Sequence, residues 1–160
     1  MATMDRIVVG GDHTAAATAA LRWAVREAAA TGMCVAVVHA FDLAGRADLA
    51  VERDLGLARR DARYRTQSWV VEVIGDLDTS VPVIVSTPDG SVESALVAAS
   101  RGARMVVIGQ PQGGLHHDLA SALSRSCACP VMTVALDQVA TGGSGDAQDK
   151  LHGAGPGILV

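Results

Sequence analysis

Residues 6–40 read RIVVGGDHTAAATAALRWAVREAAATGMCVAVVHA, and this stretch decides the fold. An apolar, β-branched run at residues 6–10 ends in two glycines, and a second such run begins at Cys34. Between them lies a segment with helical periodicity from about Thr14 to Thr31, and Gly32 is the expected C-terminal stop. Continuous apolar runs are typical of strands that are covered on both faces. The stretch therefore predicts a β-α-β unit within a parallel sheet.

The same alternation continues along the chain. Three further apolar runs occupy residues 81–86, 105–109 and 130–136. Helical segments are predicted at about residues 48–74, at 91–101 with Ser91 as N-cap and Gly102 as stop, and from near Asp118 to before Pro130. This order predicts an α/β fold, an open, mostly parallel, doubly wound sheet of five strands with helices on both faces.

The chain is predicted to form one domain followed by a tail. A length of 160 residues suits a single domain, which we place at residues 1–136. Residues 137–160 are rich in glycine and small polar residues and lack periodicity, which predicts a flexible tail.

Composition argues against nucleic acid as a partner. Aromatic residues make up 2% of the chain, too few for the stacking platforms that bind single strands. The formal net charge is −4 and Lys150 is the sole lysine, so no basic face for a duplex is evident. The basic cluster at residues 59–65, RRDARYR, is interpreted as a solvated helix face with an Asp61–Arg65 ion pair.

Cysteine usage and the absence of long apolar runs predict a cytoplasmic protein. Cys34, Cys127 and Cys129 are odd in number and lie in apolar settings, which favours reduced thiols. The amino-terminal residues lack the pattern of a signal peptide. No apolar run approaches the roughly 18 residues of a membrane span, so no membrane association is expected.

Polar residues follow the predicted strands, where doubly wound sheets bind ligands. The candidate ligand-binding residues after the first two strands are Gly10, Asp12, His13, His39 and Ala40. After the fourth strand, in IGQPQGGLHHDLAS (residues 108–121), they are Gly109, Gln112, Gly113, Gly114, His116, His117 and Asp118. Gly10 and Gly11 permit a tight turn with close backbone approach.

Several of these residues allow more than one interpretation. Asp12 can cap the first helix or accept hydrogen bonds from a ligand, and His13 is expected to be exposed. Asp118 is interpreted as the N-cap of the last helix. A less favoured alternative is a metal site built from Asp12, His39, His116 and His117, although adjacent histidines on an extended segment point in opposite directions. No signature of a catalytic nucleophile occurs, so the sequence favours a binding protein over an enzyme and assigns no catalytic residue.

Taken together, the motifs resemble the universal stress protein family. The opening stretch is similar to that family's first strand, V-G-x-D turn, first helix and VVHA second strand. SVESALVAASRGARMVVIG (residues 91–109) and SRSCACPVMTV (residues 124–134) are similar to its third helix, fourth strand and final strand.

This resemblance implies a strand order of 3-2-1-4-5, a role in the stress response and a homodimer paired through the last strand, residues 130–136. Nucleotide-binding members hold ATP between strands 1 and 4, where Asp12 matches the aspartate at the adenine or ribose. Their phosphate loop has the pattern G-x2-G-x9-G-[ST]. Gly109 matches its first glycine, Gln112 replaces the second, and His117-Asp118 replace the final Gly-Ser pair in a loop about five residues shorter.

The predicted function is a dimeric regulatory or small-ligand-binding module without tight ATP binding. The loop replacements remove glycines and a hydroxyl and add a carboxylate, none of which favours a phosphate. The alternatives are an adenine-nucleotide-binding stress protein that takes ATP, AMP or adenosine with help from a protonated histidine, an enzyme or metal protein that uses the His/Asp cluster, and a pure interaction module. No cofactor is certain, and an adenine nucleotide or nucleoside is the candidate.

Overall fold

A computed structural model describes residues 4–42, 52–77, 79–110 and 117–136 of the protein. Its strands form one sheet in which every pairing is parallel, in the order β3-β2-β1-β4-β5. The strands are β1 Arg6–Gly10, β2 Cys34–Val38, β3 Val83–Ser86, β4 Met105–Gln110 and β5 Val131–Ala135. The helices are α1 Ala15–Thr31, α2 Glu52–Gly75, α3 Val92–Ser100 and α4 His117–Ser126. The predicted fold class and strand order are confirmed.

The core consists of two layers, one on each face of the sheet. On one face, Leu21 and Val25 of α1 and Val70 of α2 pack with residues of the central strands. On the other face, Leu96 of α3 and Leu123 of α4 pack on the same strands. Both faces of the sheet are therefore covered, as the continuous apolar strands predict.

Local signals define the ends of α1 and α3. The Thr14 hydroxyl accepts a hydrogen bond from the Ala17 backbone N–H at 3.1 Å, and Gly32 ends α1 with a φ of 73°. The Ser91 hydroxyl accepts from the Ser94 N–H at 3.1 Å and caps α3. These caps satisfy backbone N–H groups that the first helical turn leaves without partners.

The start of α4 agrees with the prediction to within one residue, but the interpretation of Asp118 as its N-cap is wrong. The helix begins at His117, so Asp118 lies within its first turn and is not the N-cap. The position before the helix, His116, lies outside the described residues. Aspartate is favoured both at the N-cap and in the first turn of a helix, so the sequence locates the start of α4 only to within a residue.

Three smaller predictions are refined by the structure. The second strand ends at Val38, so His39 and Ala40 lie in the connection that follows it, as expected. The ion pair found for the basic cluster joins Arg59 to Asp89 at 2.8 Å across α2 and the β3–α3 connection. The cysteines are unpaired thiols, with Cys34 buried and the other two half-buried.

The predicted tail and the expected lack of a membrane span can be compared with the described residues only in part. Residues 137–160, the predicted tail, lie outside them, so the domain boundary at residue 136 stays a prediction. None of the helices that the structure describes is both long and apolar enough to span a bilayer.

A glycine at the end of β4 sets the distance between the sheet and α1. A Cβ atom on Gly109 would overlap the carbonyl group of Ala16 and would lie 2.7 Å from the Ala17 backbone nitrogen. These are backbone atoms of α1, which cannot rotate away as a side chain can. The first turn of α1 therefore rests directly on the carboxyl end of β4.

We expect Gly109→Ala to lower the free energy of unfolding by about 3 kcal/mol or more, at the upper end of what overpacking costs. Urea denaturation followed by circular dichroism measures this change. Gly56→Ala is the matched control, because a Cβ there meets nothing within 4 Å and helix propensity predicts a gain of about 0.5–1 kcal/mol. Equal stability of Gly109→Ala and the unmodified protein would contradict the close contact.

Candidate functional site

A cleft of about 280 Å³ opens at the carboxyl ends of β1 and β4. Strand order reverses at β1, so the cleft lies at the switch point where doubly wound sheets bind ligands. Most of its lining is apolar, as in typical small-molecule sites. The lining residues are Gly10, Gly11, Asp12, Thr14, Ala16, Ala17, Val38, His39, Ala40, Val92, Leu96, Ile108, Gly109 and Leu119.

The cleft brings together five of the candidate residues and leaves others apart from it. Those that line it are Gly10, Asp12, His39, Ala40 and Gly109. His13 does not line the cleft, but its ring stacks on the ring of His39, which does. His117 and Asp118 lie in the first turn of α4, next to the cleft residue Leu119. The remaining candidates, Gln112, Gly113, Gly114 and His116, lie outside the described residues.

Sequence reasoning missed the apolar wall of the cleft. Leu96 and Val92 of α3 contribute to it, and so does Leu119 of α4. Such residues have the same periodicity as residues that face the core, so no sequence signal separates the two. Their position becomes evident only when the helices are packed on the sheet.

The turn after β1 is close-packed because it contains glycine. A Cβ on Gly11 would lie 2.7 Å from Cγ1 of Val37 and 3.1 Å from the Trp69 ring of α2. The Gly11 N–H donates to the Val38 carbonyl at 2.9 Å, which keeps the turn against the end of β2. The predicted close backbone approach is therefore present.

Asp12 supports the cap of α1 but is not itself the cap. Its Oδ1 accepts from the Thr14 backbone N–H at 3.0 Å and from the Thr14 hydroxyl at 2.6 Å. Thr14 in turn caps the helix. The carboxylate thus has a structural role and also lines the cleft, so the two interpretations of Asp12 are compatible.

His13 is not an exposed loop residue, and that prediction is wrong. Its ring stacks on His39 with centroids 4.8 Å apart and planes 14° apart. Trp69 of α2 lies 5.2 Å away on a tilted plane, and His13 Nε2 is 2.9 Å from the Thr66 hydroxyl oxygen. The physical reason is that α2 packs over this turn, a long-range contact that the local sequence does not reveal.

The hydrogen-bond partners define which ring nitrogens carry protons. The Thr66 hydroxyl donates its hydrogen to the Ala62 carbonyl at 2.8 Å, so His13 Nε2 must be the donor to Thr66. His39 Nδ1 lies 2.6 Å from the Gly11 carbonyl oxygen and must donate to it. In the neutral form of His39, Nε2 is therefore an acceptor.

Burial lowers the pKa of the His13 imidazole below its ordinary value of 6.5. A positive charge on His39 or Arg65 lowers the pKa of His13 further, and the Asp12 carboxylate raises it in part. At neutral pH the stacked His13 ring is therefore uncharged, which is compatible with its contacts to Thr66 and Trp69.

The metal hypothesis stays a prediction. Among the described residues, no group of three or more His, Cys, Asp or Glu side chains is arranged to hold a metal ion. Asp12 and His39 both line the cleft, but the loop residue His116 lies outside the described residues.

Comparison with known proteins identifies the family. The model of the "Universal stress protein family" matches residues 3–135, which is most of the chain. The chain belongs to the universal stress protein family. The match covers all nine of the helices and strands described above. No curated protein matches the chain significantly.

Solved universal stress proteins share the fold. One from Archaeoglobus fulgidus is 25% identical, with 81% of this chain and 92% of that chain covered and a TM-score of 0.59. A structure of the universal stress protein from that organism in complex with dAMP is 24% identical, with 83% and 98% covered and a TM-score of 0.58. A family member from Arabidopsis thaliana with AMP bound is 14% identical, with 82% and 91% covered and a TM-score of 0.56.

Proposed function

We propose that this universal stress protein is a regulatory module that binds a small uncharged ligand of the nucleoside type in the cleft between β1 and β4. The proposed ligand presents amine and hydroxyl donors, as adenosine does, and ATP binds only weakly. The observation that carries the proposal is the polarity of the cleft. Its lining contains no lysine or arginine among the described residues, and its polar side chains are arranged as acceptors.

Three cleft side chains support this assignment. The Asp12 carboxylate can only accept hydrogen bonds. The Thr14 hydroxyl donates its hydrogen to Asp12 and accepts from the Ala17 N–H, which leaves it one lone pair for a ligand. His39 donates through Nδ1 to the backbone, so a neutral ring offers Nε2 as an acceptor. A ligand rich in N–H and O–H donors complements this set.

The residues near the start of α4 argue against a triphosphate. Asp118 is an acidic residue of the first turn of α4 and directly precedes the cleft residue Leu119 in the sequence. Two unit charges about 4 Å apart repel by roughly 4 kcal/mol at an effective dielectric constant near 20. A repulsion of that size lowers affinity by about three orders of magnitude.

The size of the cleft also favours a compact ligand. Sites for drug-sized molecules commonly measure roughly 300–1,000 Å³, and this cleft of about 280 Å³ lies just below that range. The second candidate, adenine-nucleotide binding, is favoured by the relatives that hold dAMP and AMP. Both candidates place the base and sugar at the same site, and they differ in whether the phosphates are bound.

We expect adenosine to raise the melting temperature of the protein, and Mg²⁺-ATP at the same concentration to raise it less. Binding to the native state stabilises it by about 2.7 kcal/mol at a ligand concentration of 100 times Kd. A thermal-shift titration with adenosine, AMP and ATP measures the order. Asp12→Asn should weaken the adenosine effect.

Asp5→Asn is the matched control for that titration. Asp5 is exposed and directly precedes β1, at the amino ends of the strands and away from the cleft. A larger stabilisation by Mg²⁺-ATP than by adenosine would contradict the proposal and favour the second candidate. Loss of the adenosine effect in Asp5→Asn would show that the response does not report on the cleft.

We also propose that the protein forms a homodimer through β5, in the segment 130–136. β5 lies at one edge of the sheet, where a second copy can pair with it. We expect sedimentation velocity to show a dimer and Ala135→Arg to convert it to monomer by placing like charges at the interface. Ile84→Arg on β3, the opposite edge, is the control, since Ile84 is 60% exposed and should leave the dimer intact. A monomeric unmodified protein would contradict the proposal.

A further inference from the structure

The backbone of His13 is held in an unfavourable conformation. Its φ is 64°, and among the described residues it is the one non-glycine residue with a positive φ. Residues with a Cβ rarely adopt this region, and they stay there only where surrounding contacts hold them. A glycine would adopt this conformation without strain, as Gly32 does at the end of α1.

The contacts that hold His13 come from two different parts of the fold. From α2, the Thr66 side chain accepts its Nε2–H, and the Trp69 ring packs beside it. Thr66 is fully buried and its hydroxyl is bonded to its own helix, so it is a fixed anchor. From the end of β2, the His39 ring stacks on the His13 ring. His13 is therefore in contact both with α2 and with a residue of the cleft.

The His39 ring needs such a contact to be fixed. Its hydrogen bond from Nδ1 to the Gly11 carbonyl holds one corner of the ring. One hydrogen bond restricts the ring but does not fix its tilt, because terminal side-chain torsions of histidine are broad. The stacked His13 ring, nearly parallel at 14°, removes that freedom.

We infer that His13 is a positioning residue for the cleft, which holds the His39 ring in the orientation that presents its acceptor nitrogen to the ligand. This inference rests on the proposed function for its effect on binding. The effect on the orientation of the His39 ring is independent of the proposed function, because it exists in the unliganded protein. The positive φ of His13 is the conformational cost of bringing its ring into the stack.

A purely structural role for His13, as packing between α2 and the turn, predicts a different pattern of effects. In that case any loss of packing between α2 and the sheet would weaken ligand binding to a similar degree. Val73 of α2 is buried in the same core layer but does not line the cleft, so Val73→Ala reproduces the packing loss alone.

The test compares His13→Gly, His13→Gln and Val73→Ala with the unmodified protein. His13→Gly removes the ring and relieves the backbone, so folding is preserved. We expect the ¹⁵N ring signals of His39 to move from the Nδ1–H tautomer towards an average of both tautomers. We also expect adenosine affinity to fall roughly 2–10-fold, the worth of one oriented hydrogen bond. His13→Gln, with a flat group and an N–H donor for Thr66, should restore part of both.

Val73→Ala should lower the melting temperature and leave the His39 ¹⁵N signals and adenosine affinity unchanged. The inference is overturned if His13→Gly leaves the His39 signals in place, or if Val73→Ala weakens adenosine binding as much as His13→Gly does. If the unmodified protein binds no adenosine, the proposed function fails. The ¹⁵N measurement on the unliganded variants then decides the positioning role by itself.

Discussion

The contact between Gly109 and the backbone of α1 is the constraint on which the site depends. Because β4 ends without a side chain, the first turn of α1 rests against the strand at Ala16 and Ala17. That position brings Thr14, the cap of α1, and Asp12, which supports the cap, to the mouth of the cleft. A side chain at residue 109 would displace the helix and with it the polar wall of the site. The glycine therefore has a packing role whether or not a phosphate is ever bound near it.

The turn at residues 10–14 joins this constraint to the ligand chemistry. Gly11 lets the chain pass between Val37 and Trp69, and Asp12 and Thr14 start the helix. His13 turns away from the cleft and stacks on His39. Asp12 and Thr14 of this turn thus both start the helix and present acceptors to the cleft. Within this turn the family resemblance assigns a ligand-binding role to Asp12, and the structure adds His13 to the residues that shape the site.

The fold could be predicted well because its signals are local. Apolar strands, the stop at Gly32 and the cap at Ser91 are read from a few neighbouring residues, and the strand order came from the family resemblance. The site could be predicted only in part. Asp12, His39 and Gly109 follow strands and are expected at their edge. The apolar wall around Leu96 and the burial of His13 depend on how α3 and α2 pack, which is a long-range property. The N-cap of α4 was misassigned to Asp118 because Asp is favourable both at the cap and in the first turn.

The central claim is that a nucleoside-like ligand occupies the cleft formed by β1 and β4. The most direct test is a ¹H–¹⁵N spectrum of the labelled protein titrated with adenosine. The account predicts that the largest shifts fall on the amides of Gly10, Gly11, Ala40 and Gly109, which line the cleft. Saturable shifts confined to the opposite end of the strands, around Gly32 and Thr79, would contradict the account. A spectrum that adenosine leaves unchanged would also contradict it.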